Sequence, residues 1–219
     1  KRAYWYDLNV SKDYIERLKK LGFLILNQSR WLNAVTISCD FDDFELLKSL
    51  KFVKKIEPVH LMRKKKHFDT STFNDQNRTF LYGNSQTQME QINAINAHNM
   101  GYFGQGVRVL YIDTGFNLEH EAFDSLQVIS QYDFINNDNE TANETEEEFQ
   151  NNQDEHGSLC LSVLSGFKEG QLIGPAFKSE FLLAKTEIVD QEIQQEEDNY
   201  VAALEWGEAL GADIACASL

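Results

Sequence analysis

The chain has 219 residues, 42 % of them apolar, which is enough for one large domain or two small ones. No stretch approaches the roughly 18 uninterrupted apolar residues of a membrane span, and a net charge of −15 argues against nucleic acid as a partner. The charge is uneven: residues 1–67 hold 15 Lys/Arg against 8 Asp/Glu, and residues 68–219 hold 5 against 27. Such a split suits two units that attract each other.

The first 60 residues follow a clear order. "AYWYDLNV" reads as a strand and "SKDYIERLKKLG" as a helix, with Ser11 as cap, Glu16 and Arg17 on the wet face, and Ile15 and Leu18 on the dry one. Gly22 ends the helix. "FLILNQS" and "LNAVTISC" read as two strands with "NQSRW" as turn material between them. "DFDDFELLKSL" is a second helix with an acidic first turn, and "FVKKIEPV" is a closing strand. The order β-α-β-β-α-β predicts a ferredoxin-like α+β unit over residues 1–62. Residues 63–88 open on four consecutive bases, Arg63 to Lys66, and continue without periodicity, so they read as a linker.

From residue 89 the pattern is α/β. "MEQINAINAHNMG" is a short helix, "VRVLYID" a strand buried on both faces, and "LQVISQYDF" another strand. "HGSLCLSVLSGF" is a helix rich in small residues, "SEFLLAKTEI" a strand, "EEDNYVAALEWGEALG" a helix, and "ADIACASL" the opening of a further strand. Strands alternating with helices predict a parallel sheet over 89–219, with functional groups at the carboxyl ends of its strands. Residues 136–155 carry eight acids and no base. They read as a long, solvated acidic loop. Clustered carboxylates could hold structural calcium there, but the ligand spacing of an EF-hand is absent and no metal residue is assigned. Cys39, Cys160 and Cys216 lie in apolar runs, are odd in number and have no short spacing. They give neither a disulfide framework nor a zinc pattern and read as buried thiols.

Asp113 closes the strand "VRVLYID". A carboxylate at that place is costly unless something compensates it, and one use for it is to orient a histidine. His156 opens a helix and is followed at once by Gly157, which lets the ring lie close to a neighbouring strand. Its Nδ1–H could donate to Asp113, which fixes the tautomer and supports the imidazolium formed when Nε2 takes a proton from a nucleophile. His60, His67, His98 and His120 have no comparable setting and read as structural.

Here the residues reach a resemblance. "GQGVRVLYIDTGFNLEHEAF" resembles the aspartate segment of the subtilisin-like serine proteases, the subtilases, and "HGSLCLSVLSG" resembles their histidine segment. "LIGPAFKSEFLLAKTE" is similar to the strand region that follows, and "EEDNYVAALEWGEALGADIACASL" to the helix and strand leading to their substrate-binding edge. Asp before His is the subtilisin order, which places the serine last. Residues 1–62 resemble the propeptides of this family, which pack on the catalytic domain and inhibit it. The usual Thr after His-Gly is Ser158 here, and the chain ends before any segment like the family's Gly-Thr-Ser region.

The resemblance implies the N-terminal part of a subtilisin-like parallel-sheet domain preceded by its propeptide. It implies a secreted serine endopeptidase acting on peptide or protein substrates, with Asp113 and His156 catalytic and the nucleophilic serine outside these residues or on a second chain. Ala217, Ser218 and Leu219 would form the edge that pairs with substrate backbone. No cofactor is required for that chemistry. The alternative is a subtilase-like module that has lost catalysis and serves in binding or assembly. It is disfavoured because a scaffold has no need of both Asp113 and His156.

Overall fold

The computed structural model describes residues 8–59, 80–189, 191 and 193–218. The chain divides into two units: residues 1–62 with 193–206, and residues 63–192 with 207–219. The segment 193–206, expected with the second unit on sequence grounds, groups with the first.

In the first unit, helix α1 (Lys12–Lys20) buries Ile15 and Leu18 and exposes Glu16 and Arg17, the split expected for an amphipathic helix. Ser11 is the residue before its first turn, but the hydroxyl caps nothing. Instead the Ser11 carbonyl accepts from the amides of Tyr14 and Ile15. Gly22, at φ +96°, turns the chain out of the helix in a conformation a side chain would resist. Strands β1 (Leu24–Ser29) and β2 (Ala34–Ser38) pair antiparallel with a bulge between Ile25 and Asn27, and the turn between them uses Asn33 at φ 47°. Helix α2 (Phe44–Ser49) follows a single 3-10 turn. Leu18, Phe23, Leu47 and Leu50 form the core, with Ile25, Val35, Ile37, Phe52, Val53 and Ile56 packed around it. The expected closing strand over 52–59 forms no ladder among the described residues. The opening strand that would pair with it in the expected topology lies mostly outside them.

Residues 194–206 of helix α7 (Gln194–Ala209) bring Glu205 to the β1–β2 turn. Its carboxylate, largely buried, accepts from the Ser29 hydroxyl at 2.5 Å, the Arg30 amide at 3.0 Å and the Trp31 amide at 3.3 Å, with the Arg30 guanidinium 3.6 Å away. One carboxylate thus satisfies the donors of a turn that has no ladder to bond to.

In the second unit, α3 (Gln86–Gln91) and α4 (Ala94–Asn99) replace the single helix expected over 89–101. The break is Asn93, at φ 60° and ψ 22°, whose side-chain oxygen accepts from Asn96. Residues 80–88, expected as linker, are packed: Tyr82 is 1 % exposed and joins Met89, Ile173 and Phe177 in a second core. His98 is buried there, accepting from the Tyr82 hydroxyl at Nδ1 and donating from Nε2 to the Pro175 carbonyl.

Strands β3 (Arg108–Asp113), β4 (Gln127–Asp133), β7 (Glu180–Lys185) and β8 (Ile214–Ala217) make a parallel sheet in the order β4-β7-β3-β8. The short strands β5 (Phe167–Lys168) and β6 (Leu172–Ile173) form a separate hairpin. Residues 109–113 are buried on both faces, as their apolar run predicts. Val109, Tyr111, Phe181 and Leu183 pack on one face with Phe116, Phe123 and Leu161, the last from α6 (Glu155–Ser165). Arg108 fastens the other end of β3, donating from its side chain to Glu180 and from its amide to Asp213.

The register puts Asp113, Lys185 and Asp133 side by side at the carboxyl ends of β3, β7 and β4. Lys185 and Asp133 are fully buried, with Nζ 2.8 Å from Asp133 Oδ2, and Nζ also donates to Glu148. Glu148 belongs to α5 (Glu146–Asn151), a helix inside the segment expected to be a solvated acidic loop. Thr145 and Glu148 cap it reciprocally: the hydroxyl accepts from the Glu148 amide, and the carboxylate accepts from the amides of Thr145 and Glu144. The hydrogen bonds from Lys185, Glu144 and Thr145 outweigh burial and hold Glu148 below its ordinary range, and the two carboxylates hold Lys185 above its own.

Two consequences are measurable. Glu205→Ala leaves the amides of Arg30 and Trp31 without an acceptor, so their hydrogen exchange should quicken as the turn loses about 2 kcal/mol. Exchange unchanged at both amides would show that the contact does not hold the turn. Lys185→Met strands two buried carboxylates and should cost about 3–5 kcal/mol in urea unfolding at neutral pH. In the native chain, the share of stability due to depressed Glu148 is present above pH 4.5, its ordinary value, and is lost as pH falls through the folded value. In Lys185→Met that acid loss should shrink, the amides of Glu144 and Thr145 alone remaining to favour the carboxylate.

Candidate active site

Strand β3 carries Asp113 to the sheet's carboxyl edge, where it is fully buried. His156 stands in the first turn of α6 with its side chain 46 % exposed, and its Nδ1 lies 2.7 Å from Asp113 Oδ1. A buried carboxylate facing a half-exposed imidazole leaves Nε2 as the outward nitrogen. The same Asp113 oxygen accepts from the Thr114 amide at 2.7 Å. Asp113 Oδ2 has no partner among the described residues. Burial therefore pushes the Asp113 carboxyl above its usual range, against the pull of His156 and Thr114. With the folded value raised, this group favours folding most when protonated, and its contribution declines as pH rises from 3.8 through the folded value. A proton on the ring offsets that cost.

The close approach is made by backbone. A Cβ on Gly157 would sit 2.1 Å from the Gly115 carbonyl oxygen and 3.0 Å from Asp113 Cβ. The Gly157 amide donates to Thr114 Oγ1 at 3.3 Å. Ser158 donates to the Asp154 carbonyl and accepts from the Asn117 amide, tying α6 to the turn after β3. Upstream, Asn143 and Asp154 exchange two hydrogen bonds across the acidic segment. Gln153 is almost fully buried. It donates to the carbonyls of Thr114 and Glu187 and accepts from the Val189 amide, bracing the helix start against the ends of β3 and β7.

Of the other expected residues, Ala217 pairs with Ile112 in the ladder, and the Ser218 amide continues it to the Ile112 carbonyl at 3.4 Å. β8 lies at one edge of the four-stranded sheet. Leu219, His60 and His67 lie outside the described residues. His120 caps a short turn, its Nδ1 accepting from the Ala122 amide. The cysteines depart from expectation: Cys39 is exposed, and Cys160 and Cys216 are half-buried. Cys39 lies just past the end of β2, where apolar neighbours in sequence do not bury it, and Cys160 and Cys216 pack against the rim of the second unit's core. Cys160 follows His156 by one helical turn, which sets its Sγ 3.6 Å from His156 Nε2, and Ser218 Oγ lies 3.4 Å from the same sulfur. Sequence reading missed Gln153, Lys185 and Cys160. The four-residue spacing of His156 and Cys160 on a helix was a signal for the last of these.

Asp133, Asp138 and Glu144 each bring a carboxylate oxygen within 4.8 Å of the others. A hard cation there would have to compete with Lys185, which already neutralises Asp133.

Residues 104–219 match the subtilase family, and residues 4–77 match the Peptidase S8 propeptide domain of Bacteroidota. No curated protein matches the chain. Among solved structures, fervidolysin from Fervidobacterium pennivorans, a keratinolytic enzyme related to subtilisin, aligns at 15 % identity with a TM-score of 0.61, covering 94 % of this chain and 34 % of that one. The CspB protease of Clostridium perfringens aligns at 19 % identity with a TM-score of 0.40, covering 55 % of this chain and 30 % of that one. The chain thus spans about a third of the length of the solved proteins it resembles. With its parallel sheet and the family match over 104–219, this chain belongs to the subtilases and carries a propeptide domain of their kind.

Proposed function

We propose that the chain supplies the aspartate and histidine of a subtilisin-type serine endopeptidase, with residues 1–62 acting as its propeptide. The observation that carries this reading is the 2.7 Å contact between the buried Asp113 carboxylate and Nδ1 of half-exposed His156. With Nδ1–H donated to Asp113, Nε2 holds a lone pair toward solvent and can accept a proton from a nucleophilic hydroxyl. It then returns that proton to the leaving amine, and Asp113 stabilises the imidazolium between the two steps.

The nucleophile is a serine outside these residues or on a second chain. Ser158, Ser162 and Ser165 on α6 all donate to backbone carbonyls and serve the helix rather than His156. The edge at Ala217 and Ser218 pairs with the backbone of a peptide substrate, a role that the family resemblance extends to Leu219. No cofactor enters this chemistry, and the protein acts as a secreted enzyme.

The test uses the full-length protein, a chromogenic peptide and a fluorophosphonate that labels an activated serine. His156→Ala should abolish both hydrolysis and labelling. Asp113→Asn should lower kcat by a factor on the order of 10⁴. Undiminished labelling in His156→Ala would sink the assignment. Gly157→Ala must push α6 away from Gly115 and Asp113, and should cost on the order of 10² in kcat through misplacement of the ring, with KM little changed. A change in KM alone would place Gly157 in substrate binding instead.

A further inference from the structure

Gln153 stands three residues before His156, between α5 and α6, and is 2 % exposed. Asn152, at φ 51°, reverses the chain there, and the Gln153 amide closes α5 by donating to the Glu148 carbonyl at 3.0 Å. The side chain meets two other segments. Nε2 donates to the Thr114 carbonyl at 2.7 Å and to the Glu187 carbonyl at 2.5 Å, and Oε1 accepts from the Val189 amide at 2.9 Å. Two carbonyls and one amide fix which way the carboxamide faces, and both hydrogens of its NH2 are used. Thr114 follows Asp113 directly, so its bond to Gln153 runs beside the bond between His156 and Asp113. Glu187 and Val189 belong to the segment leaving β7, whose Thr186 amide donates to the Asp113 carbonyl at 3.0 Å. One neutral, fully bonded side chain therefore joins the base of the histidine's helix to both segments that hold the aspartate.

We propose that Gln153 is a positioning residue for the Asp113–His156 pair, and that it couples the segment leaving β7 to the ring of His156. Without it the start of α6 is free to shift against β3, and that shift reaches the imidazole three residues on. A misplacement of about 1 Å suffices to cost about 10²-fold in rate. The rate consequence rests on the function proposed above, whereas the placement of the ring does not.

The experiment uses the full-length protein and two readouts: hydrolysis of a chromogenic peptide, and the low-field proton NMR signal of His156 Nδ1–H held by Asp113. Gln153→Met keeps the length of the side chain and none of its hydrogen bonds. It should lower kcat by a factor on the order of 10² with KM little changed, and should broaden or shift the Nδ1–H signal. Val189→Pro removes the amide bonded to Oε1 and leaves Gln153 in place. Val189 is the second residue of a turn closed by the Gln191 amide on the Ile188 carbonyl, a position that proline favours, so this variant should fold. It should lower kcat in the same direction, and the two changes together should cost less than the product of their separate factors. Gln150→Met, at an exposed position of α5, should change neither readout. Unchanged kcat and an unchanged signal in folded Gln153→Met overturn the positioning role, as does a rise in KM alone. Fully multiplicative effects in the double variant overturn the coupling. If Gln153→Met does not fold, Val189→Pro decides: both readouts unchanged there overturn the proposal. A native protein that shows the signal but hydrolyses no peptide overturns the proposed function, and the signal in the two variants still tests the placement of the ring.

Discussion

Three neighbouring strands of the sheet end on charge at one level. Asp113, Lys185 and Asp133 are aligned by the ladders of β3, β7 and β4, and each side chain is buried. A buried ion must be paired or solvated by dipoles, so much of the surrounding architecture answers that demand. Lys185 and Asp133 satisfy each other and recruit Glu148, which draws α5 down onto the sheet. Asp113 is left to the Thr114 amide and to His156, which draws the start of α6 onto β3. The acidic segment and the helix that follows are therefore placed by one row of charges at the sheet's edge.

Much of this was legible in the sequence, for identifiable reasons. β3 announces itself by an apolar run too continuous for a one-faced strand, and Asp113 stands out because it ends that run. His156 could be singled out because Gly157 follows it, and the space that a Gly157 Cβ would need is indeed filled by the Gly115 carbonyl. The α1 face and its stop at Gly22 followed from helical spacing and turn chemistry.

What was not legible depends on contacts far apart in the chain. Lys185 looks like any polar residue ending a strand until β7 is laid between β3 and β4. Glu148 sits among acids whose composition signals a solvated loop, and only the buried ammonium turns that stretch into a pinned helix. Asn93 breaks a helix that its apolar spacing would continue, because its short side chain bonds locally and tolerates a positive φ. Cys160 was judged by its apolar neighbours, although its place one turn after His156 decides its setting.

Gln153 differs from the charged groups, Asp113 and Asp154, that also fix the start of α6. Its amide binds Thr114, Glu187 and Val189 without carrying charge or titrating. The ionic contacts around it weaken in acid and, at the exposed rim, under added salt, whereas this three-way strut responds to neither. The placement of His156 is thereby partly insulated from the ionic composition of its surroundings. Under changing salt or acidity the histidine would stay where the strand presents its aspartate.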